Sequence, residues 1–261
     1  MADVSSFTGV ILITEQQIFS SADSFQDIAE KIIEELKAYA DHEYAERETA
    51  LNGVPEKGFI GVRKPHIRLI AKKWWQNEVK YMSGADIFLL CQYLVDKNIF
   101  ELRAVAFDWA KRAKKHYSPE SFQFLERWVN ENIFCWIDCD DLCTGAAGEF
   151  LEKYPEFISN VLEWTSSQNR WVRRASAVSL IRPARNGSFL PEIFRISDAL
   201  LTDSDDMVQK GYGWMLKVAS QKHPDEVFSY VMENRLSMPR TSLRYAIEKF
   251  PPDMRKQAMK K

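Results

Sequence analysis

Apolar residues recur along this chain at the three-to-four-residue spacing of a helix face, segment after segment, and no stretch alternates as a half-buried strand requires. In the first half, "FQDIAEKIIEELKAYADHEY", "KPHIRLIAKKWW", "GADIFLLCQYLVDK", "ELRAVAFDWAKRAKK" and "SPESFQFLERWVNENI" read this way. The second half adds "DDLCTGAAGEFLEKY", "PEFISNVLEWTSS", "WVRRASAVSLI", "PEIFRISDALL", "DMVQKGYGWMLKVASQ", "DEVFSYVMEN" and "TSLRYAIEKF". Pro, Gly, Asn or Asp-Ser punctuation separates most of them, where helices must end. The pattern predicts an all-α chain of about a dozen helices.

A second, longer period lies over the first. Aligned on their first apolar residue, "LRAVAFDWA", "LCTGAAGEFL", "VRRASAVSL", "VQKGYGWML" and "LRYAIEKF" begin at Leu102, Leu142, Val172, Val208 and Leu243, which stand 40, 30, 36 and 35 positions apart. Two-helix solenoid units need such a period, because each hides its apolar stripe against the next. Small residues in these segments, among them Ala104, Gly145, Ala175, Gly211 and Gly213, let neighbouring helices approach closely. The expected architecture is a HEAT-like α-solenoid with a concave face, occupying residues 23–261 as one domain. Residues 1–22 are read as an extension of unknown role, whose Ile11, Leu12 and Ile13 could cover the end of the first repeat.

The chain has 261 residues, 46% of them hydrophobic, which is enough to bury a large core and excludes disorder as a description of the whole. No apolar run approaches the roughly twenty residues a membrane helix needs, and "MADVSSFTGVILITEQQ" has no basic segment ahead of its short apolar one. A soluble cytoplasmic monomer is expected. Cys135, Cys139 and Cys143 fall four apart on one helical stripe, unlike the loop-borne C-x-x-C pairs of zinc sites, so they and Cys91 read as small packing residues. No metal and no cofactor is expected, and the four histidines show no spacing that suggests either a ligand set or a triad.

A net charge of -2 argues against indiscriminate binding of polyanions, so any nucleic-acid surface must be local. The repeat offers one. The position after the anchor is Arg103, Arg173 and Arg244 in three units, and Lys210 stands one step further along in a fourth. Equivalent cations on stacked helices would form a ladder suited to backbone phosphates. The same recurrence fits ordinary solvated or salt-bridged helix residues. "GVRKPHIR" adds Arg63, Lys64 and Arg68 at a helix start, and "NRWVRRA" adds Arg170 and Arg174.

Chemistry concentrates in "CWIDCDDL", where Asp138, Asp140 and Asp141 sit among apolar neighbours that an ordinary buried helix would fill with leucine and alanine. Each loses helix propensity there and, if buried, loses solvation. A cluster of this kind either caps a helix start or is kept for use.

"WIDCDDLCTGAAGEFL", "WVRRASAV", "QKGYGWMLKVASQKHPDEV" and "TSLRYAIEKF" resemble, in order, the motifs of AlkD-like alkylpurine DNA glycosylases, a family built from HEAT-like repeats. The resemblance covers roughly residues 25–250. It matches Trp136, Asp140 and Gly148 to the first motif, Trp171 and Arg174 to the second, Gly213 and Trp214 to the third, and Ser242, Leu243 and Arg244 to the last. Asp138 and Asp141 beside the matched acid, and the acidic net charge, depart from what such a protein would show. The resemblance implies that Asp140, Trp136, Trp214 and Arg174 form the catalytic site and that the partner is double-stranded DNA carrying alkylated purines. It further implies hydrolysis of the N-glycosidic bond of cationic N3- or N7-alkylpurines without flipping the base.

Trp136 and Asp140 lie one helical turn apart, so an indole and a carboxylate can address one small volume, and a cation suits such a slot. The remaining tryptophans, Trp74, Trp75, Trp109, Trp128 and Trp164, are assigned to the core. Two other readings stand beside the enzyme: a HEAT-like array that grips unusual DNA without cutting it, and a scaffold whose concave face takes an acidic peptide or a partner helix.

Overall fold

In a computed structural model, described for residues 15–55 and 57–260, the chain is helical with no strand among those residues. The expected cover by Ile11, Leu12 and Ile13 lies outside the described residues. The α-helices are α1 (Glu15–Lys37), α2 (His42–Asn52), α3 (Lys64–Asn77), α4 (Gly84–Asp96), α5 (Phe100–Arg112) and α6 (Ser121–Glu131). There follow α7 (Trp136–Leu142), α8 (Gly148–Lys153), α9 (Ile158–Glu163), α10 (Arg170–Val178) and α11 (Ile181–Asn186). The chain closes with α12 (Leu190–Ala199), α13 (Asp206–Ala219), α14 (Pro224–Asn234), α15 (Arg240–Ala246) and α16 (Pro252–Met259). Helix α1 is continuous across the boundary expected between residues 22 and 23.

Local sequence explains the breaks. The first predicted segment divides into α1 and α2 because Asp41 adopts an extended conformation and accepts the Tyr44 N–H, starting a new helix. Ser83, Asn169 and Asp205 cap α4, α10 and α13 in the same way. Gly187 closes α11 at φ 83°, a left-handed position that costs glycine little.

The five repeat anchors mark the inner layer. Leu102, Leu142, Val172, Val208 and Leu243 are all at most 1% exposed, on α5, α7, α10, α13 and α15 respectively. These helices and α3 pack each on the next as one row, while α4, α6, α12 and α14 cover the other side. The result is the expected α-solenoid. Close approach is built into α13, where a Cβ on Gly213 would stand 2.8 Å from the Ser242 carbonyl oxygen of α15. The tryptophans assigned to the core are there: Trp109 and Trp128 are fully enclosed, Trp74 and Trp164 nearly so, and Trp75 packs against the core from its edge.

The inner row carries an irregularity. Between α7 and α8 the chain runs through a π-helical turn, Cys143–Ala147, with Gly145 at φ -95° and ψ -105°. A π turn inserts an extra residue and re-aims the side chains on either side of it.

Candidate active site

The three aspartates of α7 each receive a different cation from a different helix. Asp138 is 2% exposed and accepts from Arg103 of α5, Nη2 at 3.2 Å and Nε at 3.4 Å, and from the Phe134 N–H at 3.2 Å. Asp140 meets Arg174 of α10. Asp141 accepts from Nζ of Lys64, at the start of α3, at 2.7 Å. Successive side chains on a helix point about 100° apart, so three acids within one turn address three separate neighbours.

Asp140 is the acid at the groove. It lines an open cleft of about 710 Å³ with Trp136 of α7, Trp171 and Arg174 of α10, Trp214 of α13 and Tyr245 of α15. Trp136, Asp140, Arg174 and Trp214, expected to act together, therefore converge from three inner helices. Arg174 holds Asp140 through Nε (3.1 Å to Oδ1) and Nη2 (2.9 Å to Oδ1, 3.1 Å to Oδ2), while its Nη1 donates to the Met207 carbonyl oxygen at 2.5 Å. Gly211 makes room for this arginine: a Cβ there would lie 3.3 Å from Arg174 Cγ. Burial raises the Asp140 carboxyl above the usual aspartate range, Arg174 acts against the rise, Asp141 adds to it and Lys64 reduces it.

The expected cation ladder is corrected by the fold. Arg103 is 2% exposed and committed to Asp138 inside the protein, so it cannot meet a phosphate. Arg173 is tied to Asp203, Nε at 2.6 Å, and to the carbonyl oxygens of Ser167 and Gln168, and takes no part in the cleft. Arg244 is exposed but lies away from the cleft, beside Arg255 and Lys256. The groove is instead reached from the next position along each helix, two after the anchor: Arg174, Lys210 and Tyr245 line the cleft there, and Ala104 and Thr144 line its neighbour. One residue is a rotation of roughly 100°, the difference between a helix side and its groove face.

Of the other expected contacts, Arg170 and Lys210 are both at the cleft. Lys210 pairs with the exposed Asp206, a contact that contributes little and leaves it able to exchange partners, while Arg170 pairs with Asp206 and also with the mostly buried Asp205, at 2.8 Å. Arg63 stands outside it, paired with Asp41 and lying over the Tyr44 ring. Lys64 lines the neighbouring pocket. Sequence reading missed Tyr245 and Lys217 as cleft residues, although the repeat register places Tyr245 two after its anchor. It also missed Glu101, fully buried, whose carboxylate accepts the N–H groups of Ile60, Gly61 and Val62 at 3.1, 2.9 and 2.9 Å and so fixes the loop that delivers Arg63 and Lys64. Burial pushes its carboxyl up and those three donors oppose the shift.

All four cysteines are buried free thiols, and burial pushes Cys135 up to about 12, a setting for packing rather than reactivity. No group of histidines, cysteines and carboxylates fit to hold a metal occurs among the described residues, and no described helix is long and apolar enough to cross a membrane.

A solenoid of helical repeats whose inner row presents an acid among indoles and arginines defines a class of groove-forming repeat proteins. Residues 32–250 match the family of DNA alkylation repair enzymes, and the chain belongs to that family. Among solved structures it is similar to a predicted DNA alkylation repair enzyme from Enterococcus faecalis, at 16% identity and a TM-score of 0.70, over 82% of this chain and 97% of that one. It is also similar to smu.31 from Streptococcus mutans UA159, at 25% identity and a TM-score of 0.53, over 72% and 98% of the two chains. No curated protein matches.

Proposed function

We propose that this protein is a monofunctional DNA glycosylase that hydrolyses the N-glycosidic bond of cationic N3- or N7-alkylated purines in duplex DNA. The observation that carries the reading is the meeting of Asp140 with Trp136 and Trp214 in one solvent-open cleft. A purine alkylated at N3 or N7 carries a positive charge and leaves as a neutral base, so its departure needs no proton from a general acid. The sugar left behind develops oxocarbenium character, and a preorganised anion stabilises it.

Asp140 is suited to that part. Its Oδ1 accepts two bonds from Arg174 but its Oδ2 accepts only one, so Oδ2 retains an acceptor site for the attacking water. Water adds to the anomeric carbon, its proton passes to Asp140 or solvent, and the products are an abasic sugar and the free purine. The indoles of Trp136 and Trp214 supply faces for the cationic nucleotide and its deoxyribose. An open cleft rather than an enclosed pocket supports chemistry on a base that stays in the duplex, unlike glycosylases that enclose an extruded base.

The ion pair at Asp140 favours a second reading, DNA binding without excision, since a carboxylate gripped on both oxygens has part of its charge already compensated. Single-turnover release of 7-methylguanine from methylated duplex separates the two: release by the wild type and its loss in Asp140→Asn is expected, and no release by the wild type leaves only the binding reading.

A further inference from the structure

Beside the Asp140 cleft lies a second pocket, one repeat towards the N-terminus, between α3, α5 and the π turn. Asp140 lines one and Asp141 the other, so the two sit on either side of the same turn of α7. Lys64, Arg68 and Lys111 ring this pocket, and Ile67, Ala71 and Phe107 give it an apolar floor. Its two acids are already engaged, Asp141 by Lys64 and Asp108 by Arg112 at 2.5 Å. Among the described residues Arg68 and Lys111 form no ion pair, and both are exposed.

We infer that this pocket is a phosphate subsite that holds a backbone phosphodiester of the bound DNA next to the lesion, an assignment that rests on the DNA reading of the neighbouring cleft. Charge excludes a cation as the occupant, because three basic side chains face two acids that already have partners. Size limits it further: about 240 Å³ lies below the roughly 300 Å³ at which pockets for drug-sized ligands begin, and matches a small anionic group with its sugar on the apolar floor. The π turn prepares the wall. With no side chain at Gly145, the stem of Lys111 lies across the turn, its Cδ 3.5 Å from where a Cβ would be. Lys64 is half-exposed, so an incoming phosphate can share it with Asp141.

The test is the salt dependence of affinity for undamaged duplex, measured by fluorescence anisotropy between about 50 and about 200 mM salt. Arg68→Ala/Lys111→Ala is compared with wild type and with Arg127→Ala/Arg195→Ala, which removes two exposed cations from α6 and α12 on the outer layer. The pocket variant is expected to bind about tenfold more weakly at the low-salt end and to lose about one unit of the log–log slope, while the outer-layer variant keeps both. A pocket variant with the wild-type slope overturns the assignment. So does calorimetric binding of inorganic phosphate that depends on Lys111 while the DNA slope stays unchanged, since the site would then serve a free phosphate. Undamaged duplex makes the result independent of chemistry: a wild type that releases no base, yet whose slope depends on this pocket, ends the glycosylase reading and keeps the subsite.

Discussion

Arg174 reaches from α10 across Gly211 of α13 to grip both carboxylate oxygens of Asp140 on α7, so one side chain sets the position of the acid and the spacing of three inner helices. The guanidinium is 5% exposed and its partner 18%, which makes the pair a fixed part of the cleft rather than a mobile surface contact. Chemistry and positioning are therefore tested separately by choosing which end to change.

Changing the acid tests chemistry. Asp140→Asn keeps the shape and one acceptor for Arg174 but removes the charge, and single-turnover base release is expected to fall by about 10²–10³-fold, the scale on which a preorganised electrostatic group acts. Affinity for undamaged duplex should hold or rise, because an anion facing the backbone has been removed.

Changing the base tests positioning. Arg174→Lys retains a cation but loses the two-pronged hold and the bond to Met207. Base release is expected to fall at least tenfold while duplex affinity changes less than threefold. Equal losses in both would make Arg174 a DNA contact instead.

The acid limb of the pH–rate profile should lie above the usual aspartate range, because burial raises the Asp140 carboxyl and the rate rises only as that carboxyl ionises. Signs for the neighbours follow from charge. Asp141→Asn removes a negative neighbour and should move the limb to lower pH; Lys64→Ala removes a positive one and should move it higher. Identical limbs in all three proteins would show that another group titrates.

At Arg103 the expectation is a folding defect rather than a binding one. Arg103→Ala leaves Asp138 buried and unpaired and should cost about 3–5 kcal/mol in urea unfolding. Replacing both partners, Arg103→Met with Asp138→Leu, should recover most of that loss. The salt slope for DNA should be that of the wild type in the folded double variant.

Close packing between α13 and α15 gives the last expectation. Gly213→Ala places a methyl 2.8 Å from the Ser242 carbonyl oxygen and 2.8 Å from Tyr245 Cβ, so the helices must part. A loss of about 1–3 kcal/mol is expected by thermal unfolding.

Spacing along the chain was enough to specify the all-α class, the period of the repeat and the five buried anchors, because burying an apolar stripe at that period allows few arrangements other than a stack of helix pairs. The short helices α11 and α16 had no predicted segment of their own. Trp136, Asp140, Arg174 and Trp214 were legible through the resemblance of their motifs, and they do meet. Which cations face the groove was not legible. Arg103 and Arg174 are both arginines beside an anchor on an inner helix, yet one is sealed against Asp138 and the other borders the cleft. A rotation of one residue separates those fates, and that rotation is set by how the rows of helices pack on one another. The partnering of Asp138, Asp140 and Asp141 with three cations 35, 34 and 77 positions away, and which of the three is sealed inside while the other two line open pockets, arise only when distant repeats come into contact.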